Sequence, residues 1–360
     1  MRITSIDFLR GVAVLLVVFR HIMLEPILST IGWAGVDLFF VLSGFLVSNL
    51  LFQEYKQTQT VKPIRFLIRR GFKIYPLFYL MIFLVFFIEI NRQPQYYDIY
   101  KSRLFNEVLF IQNYNYDVIL IGHTWSLAVE EHFYFALAIL FFILAKLKVL
   151  DNKILFNSLT AIILLLCLNM RINIVFPLEK FDYLQYLIPT HLRFDTLWVG
   201  VFIAYHYNYN QEKFKNTFGK GGWLWLILLA LTIPTGYGLD NKFLATFGLT
   251  FIALSFGGAL AALVANDKSE ELLNGIFGKR IVKIFAKIGT YSYGIYLFHM
   301  AVRWYVGAQP EPAYNSLAGR WNMLVQLVVL LFIGILATEL VEKPLLKWRN
   351  KIMKPQEQVK

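Results

Sequence analysis

The sequence has one cysteine in 360 residues, Cys167, inside the apolar run Ile162 to Leu168. A single thiol excludes an intrachain disulfide framework, and so apolar a setting disfavours a reactive thiolate. Charge is also scarce: 16% of the residues are Asp, Glu, Lys or Arg, where soluble domains carry about a quarter, and 58% are hydrophobic. The phosphate-cradling pattern G-x-x-x-x-G-K-[ST], the nucleophile elbow G-x-S-x-G and the zinc pattern H-E-x-x-H are all missing. The six histidines are dispersed, so the sequence supports no metal site. No internal repeat, low-complexity tract or linker breaks the chain, which excludes a string of soluble modules.

What is present is a series of apolar runs of membrane-spanning length, such as Leu80 to Ile90, Ala136 to Leu144, Leu224 to Ile233 and Leu324 to Leu340. They predict an all-α, polytopic membrane protein of about ten transmembrane helices. The spans fall near 7–25, 33–52, 72–90, 124–145, 154–176, 191–207, 223–239, 243–265, 284–305 and 321–341. Alternate connections hold 24 and 8 of the 35 lysines and arginines. The positive-inside rule then places both termini in the cytoplasm of a multi-pass protein of the cell (inner) membrane. The same asymmetry accounts for the net charge of +12, so nucleic acid is not an expected partner and membrane lipid is. Arg10, Arg20 and His21 interrupt the first apolar run and no small-x-small cleavage site follows, so it reads as a permanent span. Residues 1–345 are expected to form one membrane domain, followed by a basic cytoplasmic tail, 346–360. Pro63 to Tyr75 places Ile64, Leu67, Ile68 and Phe72 on one helical face and Arg65, Arg69 and Lys73 on another. That pattern predicts a helix lying on the cytoplasmic surface.

Ionisable groups inside spans cost several kcal/mol unless paired or hydrated, so each is a functional candidate. Arg10 and His21 are eleven residues apart, close to three full turns, on one face and about 16 Å apart in depth. Asp37 opens the second span. Ser126, Glu130 and Tyr134 align at i, i+4, i+8, with Glu131 and His132 beside them. Ser292, Tyr296, His299 and Arg303 form a polar stripe on the ninth span. His191 and Asp195 stand one turn apart on the sixth, with Arg193 turned away. The depths of His21, Asp37, Glu130, His191, Arg193, His299 and Arg303 imply a hydrated cavity opening outward. Arg10, Arg65, Arg69, Arg70 and Lys73 at the cytoplasmic side suit a polyanion such as a nucleotide phosphate. The plainer readings are that Arg10 and His21 snorkel to their nearest interfaces, that single polar residues tie helices together, and that the loop arginines only set topology.

Five stretches carry a family resemblance. They are Ile6-Asp7-Phe8-Leu9-Arg10-Gly11 running to Arg20-His21; Gly35-Val36-Asp37-Leu38-Phe39-Phe40-Val41-Leu42-Ser43-Gly44-Phe45; Arg69-Arg70 with Ile74-Tyr75-Pro76; Thr124-Trp125-Ser126-Leu127-Ala128-Val129-Glu130-Glu131-His132-Phe133-Tyr134; and Ser292-Tyr293-Gly294-Ile295-Tyr296-Leu297-Phe298-His299. On these the sequence resembles the membrane acyltransferase-3 family, which includes bacterial O-antigen and Nod-factor O-acetylases. Glu342-Lys343-Pro344 stands where that family often has Glu-Arg-Pro, and His132 replaces a more usual Gln.

The resemblance implies transfer of an acyl group, usually acetyl, from cytoplasmic acetyl-CoA (acyl-CoA) to a hydroxyl of a carbohydrate or lipid-linked glycan, with no metal. Many members add an esterase-like extracytoplasmic domain, and because this sequence ends shortly after its last expected span the stand-alone form is expected. In that role His21 is the expected base, a neutral imidazole being matched to physiological pH, with Glu130 or Asp37 orienting it and with His191 and His299 as rival bases. Arg10, Arg69 and Arg70 are the expected donor-binding residues. Trp125, Ser126, Tyr296, His299 and Arg193 are the expected substrate-facing residues, Tyr296, Ser126 and Trp125 being candidate donors to the oxyanion. The rivals are a proton- or ion-coupled transporter, which needs a similar buried polar set, and a scaffold without activity. Against the transporter, no pair of Gly/Pro-broken spans recurs at matching places in two halves.

Overall fold

A computed structural model of the chain describes residues 4–22, 26–115, 121–180, 182–219, 241–307 and 316–353. Every extended regular element among them is helical, which is how a chain immersed in lipid satisfies its own backbone. Numbering the principal helices in chain order, α1 is Thr4–Ile22, α2 Ala34–Thr58, α3 Pro63–Arg92, α4 Tyr97–Val108, α5 Trp125–Lys146 and α6 Lys153–Val175. They continue as α7 Phe194–Tyr209, α8 Leu249–Ala265, α9 Lys279–Thr290, α10 Ser292–Val306, α11 Leu317–Ala337 and α12 Lys343–Ile352. Short helices, among them Pro26–Ile31, Gln211–Phe218 and Ser269–Phe277, link these.

Six helical stretches among the described residues are long and apolar enough to cross a membrane: Ala34–Thr58, Pro63–Arg92, Gly122–Lys146, Lys153–Val175, Leu244–Ala265 and Leu317–Ile352. Three further expected spans are helical but shorter or more polar. α1 has 19 residues and carries Asp7, Arg10 and Arg20, while α7 and α10 have 16 and 15 residues. The expected span 223–239 lies outside the described residues.

Two expectations need correction. The surface helix at 63–75 and the span at 72–90 are one continuous helix, α3, of 30 residues with Pro76 inside it. At 1.5 Å per residue it is about 45 Å long, enough to cross the hydrocarbon and both headgroup layers. Its basic residues are not all on the outer face, because Arg70 and Lys73 find partners within the bundle, on Tyr134 and Glu342. The expected span 284–305 is likewise divided. Tyr291 separates the strongly amphipathic α9 from α10, so only α10 carries the polar stripe.

Glycine fixes the closest helix crossings. Where α2 meets α7, a Cβ on Gly44 would overlap the Leu197 carbonyl and one on Gly200 the Val41 carbonyl. Where α1 meets α9, Gly11 and Gly289 face the Phe285 and Asp7 carbonyls in the same way. Without a hydrophobic drive between helices in lipid, such close backbone approach is a main source of association. The crossings bring the polar stretches of α1, α2, α5, α7 and α10 to the bundle interior. An aromatic cluster, with Phe156 stacked on Tyr205 at 4.2 Å and on Trp198 at 5.7 Å, fills the space beside α2, α6 and α7.

Candidate active site

A cavity of about 150 Å³ lies between α1, α2, α3, α5 and α10. Its cationic wall is made by Arg10, Arg70 and Lys73. Arg10 is 3.8 Å from Asp7, one turn earlier on α1, and Lys73 is paired with the buried Glu342. Arg70 donates from Nη2 to the Tyr134 hydroxyl at 2.6 Å, and Tyr134 donates to Glu130 Oε2 at 2.8 Å. Glu130 and Ser43 are part of the same lining. An anion entering there meets two guanidinium groups and one ammonium, the donor set that holds phosphates.

Ser126 and Tyr296 also line the cavity. Their hydroxyls are hydrogen-bonded at 2.5 Å, one donating to the other, and the His123 carbonyl, 3.2 Å from Ser126 Oγ and 2.9 Å from the Tyr296 hydroxyl, takes the remaining proton. Next to them are three imidazoles. The His299 ring is 4.8 Å from that of His21 and 4.5 Å from that of His123, and the Tyr296 ring is 5.3 Å from His299. Each imidazole donates one proton to a backbone carbonyl: His21 Nδ1 to Val17 at 2.9 Å, His123 Nε2 to Leu297 at 3.1 Å, and His299 Nδ1 to Tyr296. In the neutral ring the other nitrogen then carries the lone pair. His21 therefore presents Nε2 as a base, and His299 Nε2 and His123 Nδ1 are buried without a partner among the described residues. The described residues include no group of three His, Cys, Asp or Glu side chains arranged to hold a metal ion. His123 escaped the sequence reading because it lies in a single turn, Gly122–Thr124, just before α5. The only signal was its place beside the Thr124-Trp125-Ser126 stretch.

The other expected site residues lie elsewhere. Asp37 and Arg193 form an ion pair with both side chains fully buried, and the rings of Phe40 and Trp125 stand 5.8 Å from the guanidinium. Asp195 is held by Arg171 through two bonds, at 3.1 and 2.6 Å, and that pair is fully buried too. Arg171 was not singled out from the sequence. These four charges form two buried ion pairs, Asp37 with Arg193 and Asp195 with Arg171. The cavity lining includes none of His21, Asp37, His191, Arg193 or His299. Neither expected carboxylate orients His21, since Asp37 goes to Arg193, Glu130 to Tyr134, and the Val17 carbonyl holds His21. Arg69 is exposed, and its backbone carbonyl accepts from Arg349 at 3.2 Å. His191 is exposed, 3.4 Å from the Tyr114 hydroxyl.

The chain is similar to several known proteins. The family model described as an acyltransferase domain matches residues 3–341. The peptidoglycan O-acetyltransferase OatA of Listeria monocytogenes is 27% identical over 96% of this chain and 56% of its own length. A putative O-acetyltransferase of Staphylococcus aureus is 28% identical over 83% of the chain and 50% of its own length. A putative peptidoglycan O-acetyltransferase of Bacillus subtilis, YrhL, is 26% identical over 95% and 55%. The chain thus spans about half the length of the curated relatives it matches. No solved structure matches. With one family model covering nearly the whole chain and both ends of its polar interior, the chain belongs to the acyltransferase-3 family of membrane acyltransferases.

Proposed function

We propose that the chain is a membrane O-acyltransferase that moves an acyl group, acetyl in the first instance, from acyl-CoA to a hydroxyl of a cell-envelope glycan. One observation carries the reading: a cavity with Arg10 and Arg70 on one wall and the Ser126–Tyr296 pair on another, with the three histidines immediately behind that pair. Arg10 and Arg70 hold the phosphates of the donor, and the thioester points toward Ser126 and Tyr296. His21 Nε2 takes the proton of the acceptor hydroxyl as its oxygen attacks the thioester carbonyl. As the oxyanion develops there, one hydroxyl of the Ser126–Tyr296 pair turns its proton from the His123 carbonyl toward it. Breaking the C–S bond releases CoA as thiolate, which takes up the proton, so the products are the ester and CoA thiol. The names of the relatives suggest peptidoglycan as the glycan acceptor.

In the same reading about ten spans cross the cytoplasmic membrane, with both termini inside and residues 346–360 as a basic tail. Cytoplasmic donor then enters from the Arg10 end, and acceptor is met at the His21 end. The transporter alternative is not favoured, because the relatives are named transferases. The test is label transfer. Purified protein in vesicles, given radiolabelled acetyl-CoA and a soluble glycan acceptor, is expected to yield labelled ester, and Arg10→Ala to lose donor binding. A folded protein that binds acetyl-CoA no better after purification than vesicles alone would overturn the proposal.

A further inference from the structure

Tyr134 is fully buried and forms no part of the cavity lining, yet three lining residues meet at its hydroxyl. A phenol has one proton to give. Here it goes to Glu130 Oε2, so the oxygen must accept from Arg70 Nη2 at 2.6 Å and from Ser43 Oγ. The Arg70 guanidinium also lies 4.4 Å from the centre of the Tyr134 ring, a cation–π contact that holds its plane. With Nη2 so fixed, Arg70 Nε remains buried without a partner among the described residues. Glu130 places one carboxylate among the three cations of the wall, which lowers their mutual repulsion while no anion is bound.

We propose that Tyr134 is a positioning residue for the acyl donor: its hydroxyl sets Arg70 and Glu130 at the cavity wall so that the phosphates of the donor meet an ordered guanidinium. The inference rests on the donor-site reading of the cavity. It assigns Glu130 to donor binding and releases it from any part in orienting His21. A positioning role acts on affinity for one substrate. A merely structural role lowers the amount of folded protein, and a role in chemistry lowers turnover.

The test uses the purified full chain, with acetyl-CoA as the probe in both equilibrium binding and steady-state transfer. Tyr134→Phe removes one oxygen and keeps the ring. Losing a hydrogen bond to a charged group should raise the Kd and KM for acetyl-CoA about ten- to hundredfold. Turnover at saturating donor and KM for the glycan should stay within about twofold. In the double variant Tyr134→Phe/Arg70→Ala the donor affinity should stay within about twofold of that of Arg70→Ala alone, because of the groups the hydroxyl sets only Arg70 meets the phosphates. Full donor affinity in Tyr134→Phe, or additive losses in the double variant, overturns the proposal. Unchanged affinity in Arg70→Ala instead overturns the donor-site reading beneath it. Should Tyr134→Phe not accumulate, Ser43→Ala frees one of the three partners of the hydroxyl, with an expected loss of about fivefold, and unchanged affinity there counts equally against the proposal.

Discussion

Asp37→Asn keeps the volume of a side chain at the centre of the bundle and removes its charge. Asp37 and Arg193 are both fully buried and joined through a single hydrogen bond. Asp37 Oδ2 and Arg193 Nε and Nη1 have no partner among the described residues. The pair is therefore held at little profit, and what matters is the cost of breaking it. Taking one partner from a buried ion pair costs about 3–5 kcal/mol, because the other charge is left without compensation. Rings near Arg193, at 5.8 Å for Phe40 and Trp125 and 6.0 Å for Tyr183, return about 2 kcal/mol each for a desolvated guanidinium. They are present before and after the change, so they do not offset it. Asp195 is already committed to Arg171. A loss of this size approaches a large fraction of the stability of a typical domain, about 5–15 kcal/mol. Asp37→Asn should thus lower the yield and melting temperature of the detergent-solubilised protein, and whatever folds should turn over normally. Asp37→Leu combined with Arg193→Met removes both charges and should recover most of the yield. Asp37→Asn protein that accumulates and melts like the parent but transfers no acyl group would refute this reasoning and return Asp37 to the chemistry.

Further expectations concern packing, topology and the arginines. Gly44→Val or Gly200→Val drives a side chain into a carbonyl of the facing helix, so α2 and α7 must separate, and thermal stability should fall by several degrees in either variant. Cysteine placed at exposed Ser102 should react with a membrane-impermeant maleimide from outside, and cysteine at exposed Lys213 only after permeabilisation. Native Cys167 is buried and adds little background. The opposite pattern would invert the proposed orientation. Arg69→Ala should leave acetyl-CoA affinity within about twofold, since an exposed charge is screened, whereas Arg10→Ala should weaken it more than tenfold.

Much of this molecule was legible in its sequence, for physical reasons. Hydrocarbon thickness sets a minimum run length, so the long spans announce themselves, and α2, α5, α6 and α11 begin within four residues of the expected starts. The continuity of α3 was not legible. A surface helix and a span share one period, and only the partners on Tyr134 and Glu342 show that Arg70 and Lys73 turn inward. Pairings between helices carry no period at all, so the sequence reading set Asp37 beside His21 and passed over Arg171. The Arg10–His21 spacing was readable because one helix carries both residues. Of the residues expected at one polar level, Glu130 lines the cavity together with Arg10, whereas Asp37 and Arg193 pair with each other.

The central claim is that His21 is the base, and the most direct measurement is acetyl transfer per folded molecule in His21→Gln. His21 Nδ1 is held by the Val17 carbonyl, which leaves Nε2 as the acceptor that glutamine cannot reproduce. Loss of a general base lowers the rate by about a hundred- to ten-thousand-fold. A drop of that order is expected in His21→Gln, with membrane abundance and acetyl-CoA affinity near those of the parent. Retained transfer in well-folded His21→Gln, with loss in His299→Gln or His123→Gln, would contradict it and move the base to one of the neighbouring imidazoles.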